Sequence, residues 1–507
     1  MKRSRRNFLR DSACGLTAAA MVSSFEQLNL VNAMVNQQPE VASDYRALVC
    51  IFLFGGSDCN NVVIPYTDYN NPTGGTTNGY SNVRGTSQLA IPQADLLQIT
   101  PANSAGVVYG LHPNLSPEAF NAGQPNGLLG VWNTGKLAIL CNVGSLVQPI
   151  TRAQYASGIG HPYQLFSHSD QQTQQQTSFA SSAGQTGWGG RVADKTGSLN
   201  GNVVLPMNIS VAGTSLFATG TTSRQLAIAP APTTLANVLV LNWTNGVSGV
   251  NPNNSGSSYR TLLGLDLDSF LVKAASDTTN QALTADAVLN QPDPSLTAIF
   301  PNTQLGNQLK QVAKLIKLRD TLGMKRQIFF CSLGGYDTHT NQTGSNPTNP
   351  AGGGANSGGQ GGLLTQLSQA MRAFYDEMVA QTISDKVTQF TLSDFGRTLQ
   401  PSGSGATTVG SDHAWGGHAF IMGGSVNGGM FYGSLRPDGT GLPYGYPTLA
   451  LGGPDDTDSR GRWIPTTSVD QYAATLATWY GLAPSDLATV FPNLSRFATS
   501  NLGFMAP

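Results

Sequence analysis

Short apolar runs along the chain predict the buried strands of a sheet. Residues 47–54 form a continuous apolar run that ends at a Gly-Gly pair, as expected for a strand covered on both faces. The same pattern recurs at residues 137–143, 327–333, 388–392 and 419–422. Because strands buried on both faces are typical of parallel sheets, we expect a mainly parallel central sheet.

Between these runs, apolar positions recur with the period of an α-helix. Residues 305–316 predict one amphipathic helix, residues 363–378 predict a second, and residues 468–480 predict a final one. Buried strands that alternate with amphipathic helices indicate a three-layer α/β domain.

Two stretches depart from this alternation. Residues 195–300 are rich in Thr, Val, Asn and Pro and contain only short β-like runs, so they predict an irregular or β-rich insertion that caps the core. Residues 343–362 contain eight glycines and no charged residue, which predicts a flexible loop.

The N-terminus resembles a twin-arginine export signal. Ser-Arg-Arg-Asn-Phe-Leu at residues 4–9 precedes a short apolar stretch at 14–25, and the small residues at 31–33 favour cleavage before Met34. This pattern predicts a signal peptide at 1–33, a mature domain at 34–507, passage through the twin-arginine translocase and a periplasmic or extracellular location. The alternative is a basic N-terminal helix that stays in the cytosol. No later run approaches the roughly 20 apolar residues of a membrane span.

Composition excludes several classes of protein. The chain has 27 Lys and Arg against 28 Asp and Glu, so it lacks the positive charge that a nucleic-acid binder needs. It also lacks a Cys-x-x-Cys pair, which excludes cysteine zinc sites and dithiol redox motifs. The strings Gly-x-Ser-x-Gly, His-Glu-x-x-His and Gly-x-Gly-x-x-Gly are absent as well, which argues against serine α/β-hydrolases, zincin metalloproteases and dinucleotide enzymes.

Acidic and imidazole side chains follow several of the predicted strands. Ligands of α/β folds gather at the carboxyl ends of strands, and three of the six histidines sit at the ends of predicted strands, each with an Asp one to six residues away. Asp and His together are ligands of zinc and similar divalent ions. The alternative is that these Asp and Gly residues only form turns. The candidate ligands are Asp58, Asp337, His339, Asp412, His413 and His418.

Two further residues are candidates for catalysis. Ser167 precedes His168 at a predicted helix start, where it could be a hydroxyl nucleophile, or the segment could simply provide a helix cap through Ser169 or Asp170. Arg397 follows a buried strand, where it could bind an oxyanion or pair with Asp394.

The ordered motifs resemble those of a known family. They are Phe-Gly-Gly-Ser-Asp at 54–58, Gly-Gly-Tyr-Asp-Thr-His at 334–339, Ser-Asp-Phe-Gly-Arg-Thr at 393–398, Asp-His-Ala-Trp-Gly-Gly-His at 412–418 and Met-Gly-Gly at 422–424. Together with the leader, they resemble the exported bacterial domain of unknown function 1501, over nearly the whole mature chain. That family is grouped with the alkaline phosphatase and sulfatase superfamily, so the resemblance implies an alkaline-phosphatase-like core.

The resemblance also implies roles for the candidate residues. Ser167 would be the nucleophile by its position beside a His. The resemblance implies six metal ligands in two sets: Asp58, Asp412 and His413 for a first ion, and Asp337, His339 and His418 for a second.

Two functions are compatible with these observations. The first is an exported hydrolase of phosphate or sulfate esters, acting on a small-molecule or polymer ester. One or two divalent ions, with zinc the best candidate, would activate Ser167 or a metal-bound water, and Arg397 would offset oxyanion charge. The second is a non-catalytic envelope protein, for binding or scaffolding, that retains the fold.

Overall fold

The computed structural model describes residues 44–70, 79–116, 127–238, 269–344, 359–404 and 408–506. The proposed signal peptide at 1–33 lies outside the described residues. So do residues 239–268 of the middle stretch and residues 345–358 of the glycine-rich loop.

The described residues form fourteen strands. Their bounds are β1 Arg46–Leu53, β2 Val63–Pro65, β3 Leu97–Ile99, β4 Tyr109–Leu111, β5 Leu137–Gly144, β6 Asn208–Ser210, β7 Gln225–Ala227, β8 Arg326–Leu333, β9 Val387–Ser393, β10 Arg397–Ser402, β11 Gly410–His413, β12 Gly417–Gly423, β13 Phe431–Tyr432 and β14 Thr467–Ser468. All five strands expected from apolar runs are confirmed, as β1, β5, β8, β9 and β12.

The described residues also form ten α-helices. They are α1 Tyr80–Arg84, α2 Gly127–Asn133, α3 Arg152–Ala156, α4 His168–Thr177, α5 Trp188–Thr196, α6 Phe270–Leu289, α7 Gln304–Lys317, α8 Gly359–Ala380, α9 Val469–Tyr480 and α10 Leu487–Val490. The three helices expected from periodicity are confirmed as α7, α8 and α9. No helix among the described residues is both long and apolar enough to cross a bilayer.

A mixed, mainly parallel sheet of nine strands forms the centre of the fold. Its order is β13-β5-β12-β9-β1-β8-β6-β7, with β14 also paired to β5. Strand β1 runs parallel to both β8 and β9, whereas β12 is antiparallel to β9 and β5. The carboxyl ends of β1, β8 and β9 therefore meet at one edge of the sheet.

Helices cover both faces of this sheet and produce the three expected layers. Side chains of a strand alternate between faces, and β1 shows this directly. Val49 and Ile51 pack in one hydrophobic cluster with α7 and α8, whereas Cys50 and Phe52 pack in another with α5 and α9. Burial on both sides explains why β1 reads as a continuous apolar run.

The middle of the chain differs from the expected cap. Strands β6 and β7 extend the central sheet beyond β8, because Asn208–Ser210 pairs in parallel with β8 and Gln225–Ala227 continues the sheet. Residues 270–289 form a helix, α6, where an irregular or β-rich insertion was expected. The loop expected at 343–362 also ends early, since α8 begins at Gly359.

Candidate metal centre

Four side chains from three segments meet beside the carboxyl ends of the central strands. Asp337 and His339 follow β8, His413 is the last residue of β11, and His168 begins α4. Gly55, which follows β1, allows this approach. A side-chain carbon at that position would lie 2.3 Å from the backbone nitrogen of Asp337, and its φ of +114° favours glycine.

The ring nitrogens converge on one carboxylate oxygen. Oδ1 of Asp337 lies 3.1 Å from Nε2 of His339 and 3.5 Å from Nε2 of both His168 and His413. Nε2 of His339 is 2.9 Å from Nε2 of His413. The donor atoms of His168, Asp337 and His413 all lie within 4.8 Å of one another. We refer to these four residues as the Asp337 cluster.

Each imidazole in the Asp337 cluster is oriented by an acceptor on its other nitrogen. The Nδ1 of His168 donates to Oδ2 of Asp394 at 2.7 Å, and the Nδ1 of His339 donates to Oδ1 of Asp412 at 3.1 Å. The Nδ1 of His413 donates to the carbonyl of Phe166 at 2.8 Å. A carboxylate or carbonyl can only accept, so each neutral ring carries its proton on Nδ1 and turns a lone pair toward Asp337.

Local electrostatics favour the metal-binding forms of Asp337 and His413. Burial alone would raise the pKa of Asp337, but the hydrogen bond and charge of Arg397 outweigh it and hold that pKa below its usual value. Burial lowers the pKa of His413, and the neighbouring His168 and Arg397 lower it further. At neutral pH Asp337 is therefore an anion and His413 is neutral.

The donor set fits a divalent cation. Nε2 of His168 is buried without a hydrogen-bond partner, and two lone pairs 2.9 Å apart, on His339 and His413, repel unless a proton or a metal lies between them. Donors about 2.0–2.1 Å from a tetrahedral zinc ion stand about 3.3 Å apart. The distances from Asp337 Oδ1 to the three rings are 3.1 and 3.5 Å, and the His339–His413 distance is 2.9 Å. Three imidazoles and a carboxylate are ligands that zinc accepts.

Arg397 is a support for the cluster and cannot bind substrate. Its guanidinium is fully buried and donates to the carbonyls of Gly56 at 3.0 Å, Ser411 at 2.9 Å and Tyr336 at 3.1 Å, and also to Gly55 and to Asp337. The sequence left open whether it binds an oxyanion or pairs with Asp394. The structure gives neither, since Arg397 pairs with Asp337 and Asp394 holds His168.

Asp58 is not part of the cluster, which corrects the ligand set. Its carboxylate forms a fully buried ion pair with Arg84, at 2.5 Å from Nη1 and 3.0 Å from Nη2. Nε2 of Gln342 donates to the same carboxylate at 2.5 Å. The sequence pattern identified an Asp at a strand end but could not show that α1 brings an arginine to it.

His418 also lies outside the Asp337 cluster and has other partners. Its Nδ1 accepts the backbone N–H of Asn142 at 3.1 Å, and its ring stacks on Tyr446 with 5.2 Å between centroids. The protein packed around this ring lowers its pKa to about 4. Asp412 has a supporting role through His339, so the two expected ion sites reduce to one cluster among the described residues.

Ser167 directly precedes His168, the cluster residue that the sequence analysis did not select as a candidate ligand. Ser167 occupies the N-cap position of α4, but its hydroxyl caps no backbone group and donates to Asp170 at 2.6 Å. The Ser-His pair at the start of a helix was the available signal. It did not show that His168 crosses to Asp337, because that depends on how α4 packs.

Comparisons with known proteins agree with the motifs of this region. Residues 261–442 match the family model described as "Protein of unknown function (DUF1501)". This match confirms the resemblance to that family. It covers the segments with Asp337, His339, Asp394 and His413, and it is shorter than the span suggested by the motifs. No curated protein matches this chain in sequence.

One solved structure with some similarity is the crystal structure of PsFucS1 sulfatase from Pseudoalteromonas sp. It is 10% identical, with 86% of this chain and 77% of that chain covered and a TM-score of 0.25. A similarity this low assigns no residue.

Proposed function

We propose that this chain is an exported, metal-dependent hydrolase of phosphate or sulfate esters. The observation that carries the proposal is the convergence of three Nε2 atoms on Oδ1 of Asp337, with every Nδ1 engaged by an acceptor. Such an arrangement is typical of histidines that bind a metal. The exported location is inferred from the twin-arginine motif at residues 4–9 alone.

The cluster is placed where a substrate can reach it. The side chains of Asp337 and His339 are 49% and 43% exposed, whereas Asp394 and Arg397 beneath them are fully buried. Phe395 lies under the rings, 4.8 Å from His168 and 4.6 Å from His413 between centroids. The ligands are therefore held rigidly from below and open to solvent above, as a catalytic site requires.

A bound divalent ion would polarise an ester oxygen and favour deprotonation of a nucleophile. Asp337, His168 and His413, whose donor atoms lie within 4.8 Å of one another, would hold it, with His339 beside them. The Asp394, Asp412 and Phe166 acceptors would keep the three rings in place. Two oxygen nucleophiles fit the site, the hydroxyl of Ser167 and a water molecule. Asp170 accepts a hydrogen bond from Ser167 at 2.6 Å and can take its proton as the oxygen attacks phosphorus or sulfur and the bond to the alcohol oxygen breaks. The departing oxygen takes a proton from water, and a second water then cleaves the Ser167 ester to release phosphate or sulfate.

The test combines metal analysis with hydrolysis by the purified mature protein. We expect zinc-loaded protein to hydrolyse p-nitrophenyl phosphate or sulfate, and His413→Ala and Asp337→Asn to lose both zinc and turnover. His161→Gln is the matched control, because His161 is an exposed histidine whose ring stacks on Tyr155 and whose Nε2 hydrogen-bonds to the Tyr155 carbonyl at 2.7 Å. Unchanged hydrolysis in both cluster variants, or none by the zinc-loaded wild type, would reject the proposal.

A non-catalytic role is the second candidate, because four protein donors can close a tetrahedral site. A structural ion has four protein ligands, whereas a catalytic one keeps a position open. Zinc that is bound tightly, with no turnover on a broad ester panel and with a stable protein partner in pull-downs, would favour this role over hydrolysis.

A further inference from the structure

A loop rich in aspartate and arginine borders the Asp337 cluster. We call residues 452–462 the arginine arm. The buried carboxylate of Asp456 accepts four backbone N–H groups of this arm: those of Gly452 at 3.0 Å, Asp458 at 3.3 Å, Gly461 at 2.9 Å and Arg462 at 3.0 Å. Because one carboxylate ties both ends and the middle together, the arm has a fixed shape.

Arg462 fastens the arginine arm to the cluster. Its Nε donates to the carbonyl of His413 at 2.9 Å, and its guanidinium lies 5.0 Å from the centroid of the Phe166 ring. Its Nη1 also pairs with Asp458 at 2.7 Å. Nε and Nη1 of Arg462 are therefore engaged by the protein, and Arg462 anchors the arm two residues after Arg460.

Arg460, two residues earlier in the arginine arm, makes fewer hydrogen bonds to the protein than Arg462. Its Nη2 lies 2.6 Å from Oδ2 of Asp412, and within the described part of the chain this is the one side-chain contact of its guanidinium. Asp412 turns its other oxygen to Nδ1 of His339, so Arg460 stands one carboxylate away from a cluster ring. The Arg460 side chain is 33% exposed, whereas Arg397 is fully buried with its donors occupied.

We propose that Arg460 binds the oxyanion of the substrate. Resting on the proposed function, this assigns to Arg460 the anion recognition that the sequence placed on Arg397. A guanidinium with free donors recognises a tetrahedral oxyanion through paired, charge-assisted hydrogen bonds. The shared chemistry of the ligand is a phosphoryl or sulfuryl group. Arg460 makes and breaks no covalent bond, and it orients the non-bridging oxygens beside the cluster.

The test measures anion binding without turnover. Inorganic phosphate and sulfate are titrated separately into zinc-loaded wild type, Arg460→Met, Arg460→Lys and a control, Arg224→Met. Arg224 is an exposed arginine that bonds to Thr278 on another part of the surface. We expect Arg460→Met to weaken binding of the preferred anion by about 10- to 100-fold, with partial retention in Arg460→Lys and no change in the control.

Zinc affinity of each variant is measured alongside, because Arg460 also contacts Asp412. Arg460→Met that keeps its zinc and binds both anions as tightly as wild type would overturn the proposal. So would wild type that binds neither anion, or a loss of anion binding that only follows a loss of zinc. Arginine-dependent anion binding without any ester hydrolysis would sustain this inference and reject the hydrolase. Hydrolysis that is unaffected in Arg460→Met would sustain the hydrolase and reject the role of Arg460.

Discussion

Two regions of this protein bring an Asp and a His together near the ends of strands, yet only one of them leaves these side chains free to bind an ion. In the Asp337 cluster, the rings are partly exposed and their Nε2 atoms share one carboxylate oxygen. Around Asp58 and His418, the carboxylate is fully paired with Arg84 and the imidazole accepts a backbone N–H. The difference lies in the partners. A side chain is available as a metal ligand only if the protein holds one of its polar atoms in a hydrogen bond and leaves another polar atom unpaired.

The largest expected effect separates two histidines, one that the sequence assigned as a ligand and one that it did not. We expect His168→Ala to lower zinc affinity by more than the 10- to 100-fold, roughly, that loss of an outer hydrogen bond costs. His418→Ala should leave zinc affinity unchanged, because His418 lies outside the cluster. Competition with a chelator measures both. Equal losses of zinc affinity in His168→Ala and His418→Ala would contradict the assignment of His168, and not His418, to the cluster.

Asp58 tests the same comparison through stability. Asp58→Ala should lower the free energy of unfolding by about 3–5 kcal/mol, because it leaves the buried charge of Arg84 unpaired. Zinc stoichiometry of the folded protein should not change. Chemical denaturation measures the first quantity and metal analysis the second. Asp277→Ala, which breaks an exposed pair with Lys273, serves as control and should cost no more than about 1 kcal/mol.

A smaller effect is expected at Asp394, which supports the cluster from below. Asp394→Asn should weaken zinc binding by about 10-fold, because His168 would lose the charged acceptor that orients its ring. Asp394→Glu keeps a carboxylate and should recover part of that affinity. If Asp394→Asn binds zinc as tightly as wild type, the charge of Asp394 does not contribute to zinc affinity through His168.

The last prediction concerns the pH dependence of stability. The folded-state pKa of His418 is about 4, below the roughly 6.5 of an unfolded chain, so the unfolded state takes up the proton first as pH falls. This contribution is fully present above pH 6.5 and is lost as pH falls toward 4. Unfolding curves of wild type and His418→Gln should therefore converge by about 1–3 kcal/mol over this range. A difference that is independent of pH would contradict the shift.

Much of the fold could be predicted because its signals are local. The apolar runs of β1, β5, β8 and β9 reflect burial on both faces, and the helical spacing of α7 and α8 reflects the face that covers the sheet. The short strands β6 and β7 gave no comparable signal. Three residues that pair at a sheet edge carry too little pattern to be distinguished from a loop.

The candidate site was predictable only in part, for the same reason. Asp337 and His339 were identified because they follow a strand of the parallel sheet, where the carboxyl ends of neighbouring strands meet. His413 was identified because it follows Asp412 in the segment between two predicted strands. Their neighbours come from elsewhere in the chain. Arg84 contacts Asp58 from α1, and His168 contacts Asp337 from α4. Neither contact can be predicted from the spacing of residues along the chain.

The sequence by itself determined the layered α/β architecture and the residue types that gather at one edge of the sheet, since both follow from periodicity and strand direction. Only the tertiary structure decided which Asp and His share a centre, which arginine is buried as a support and which faces solvent. The reason is physical: whether a side chain is free to bind depends on contacts between residues tens to hundreds of positions apart, and a linear pattern does not encode those contacts.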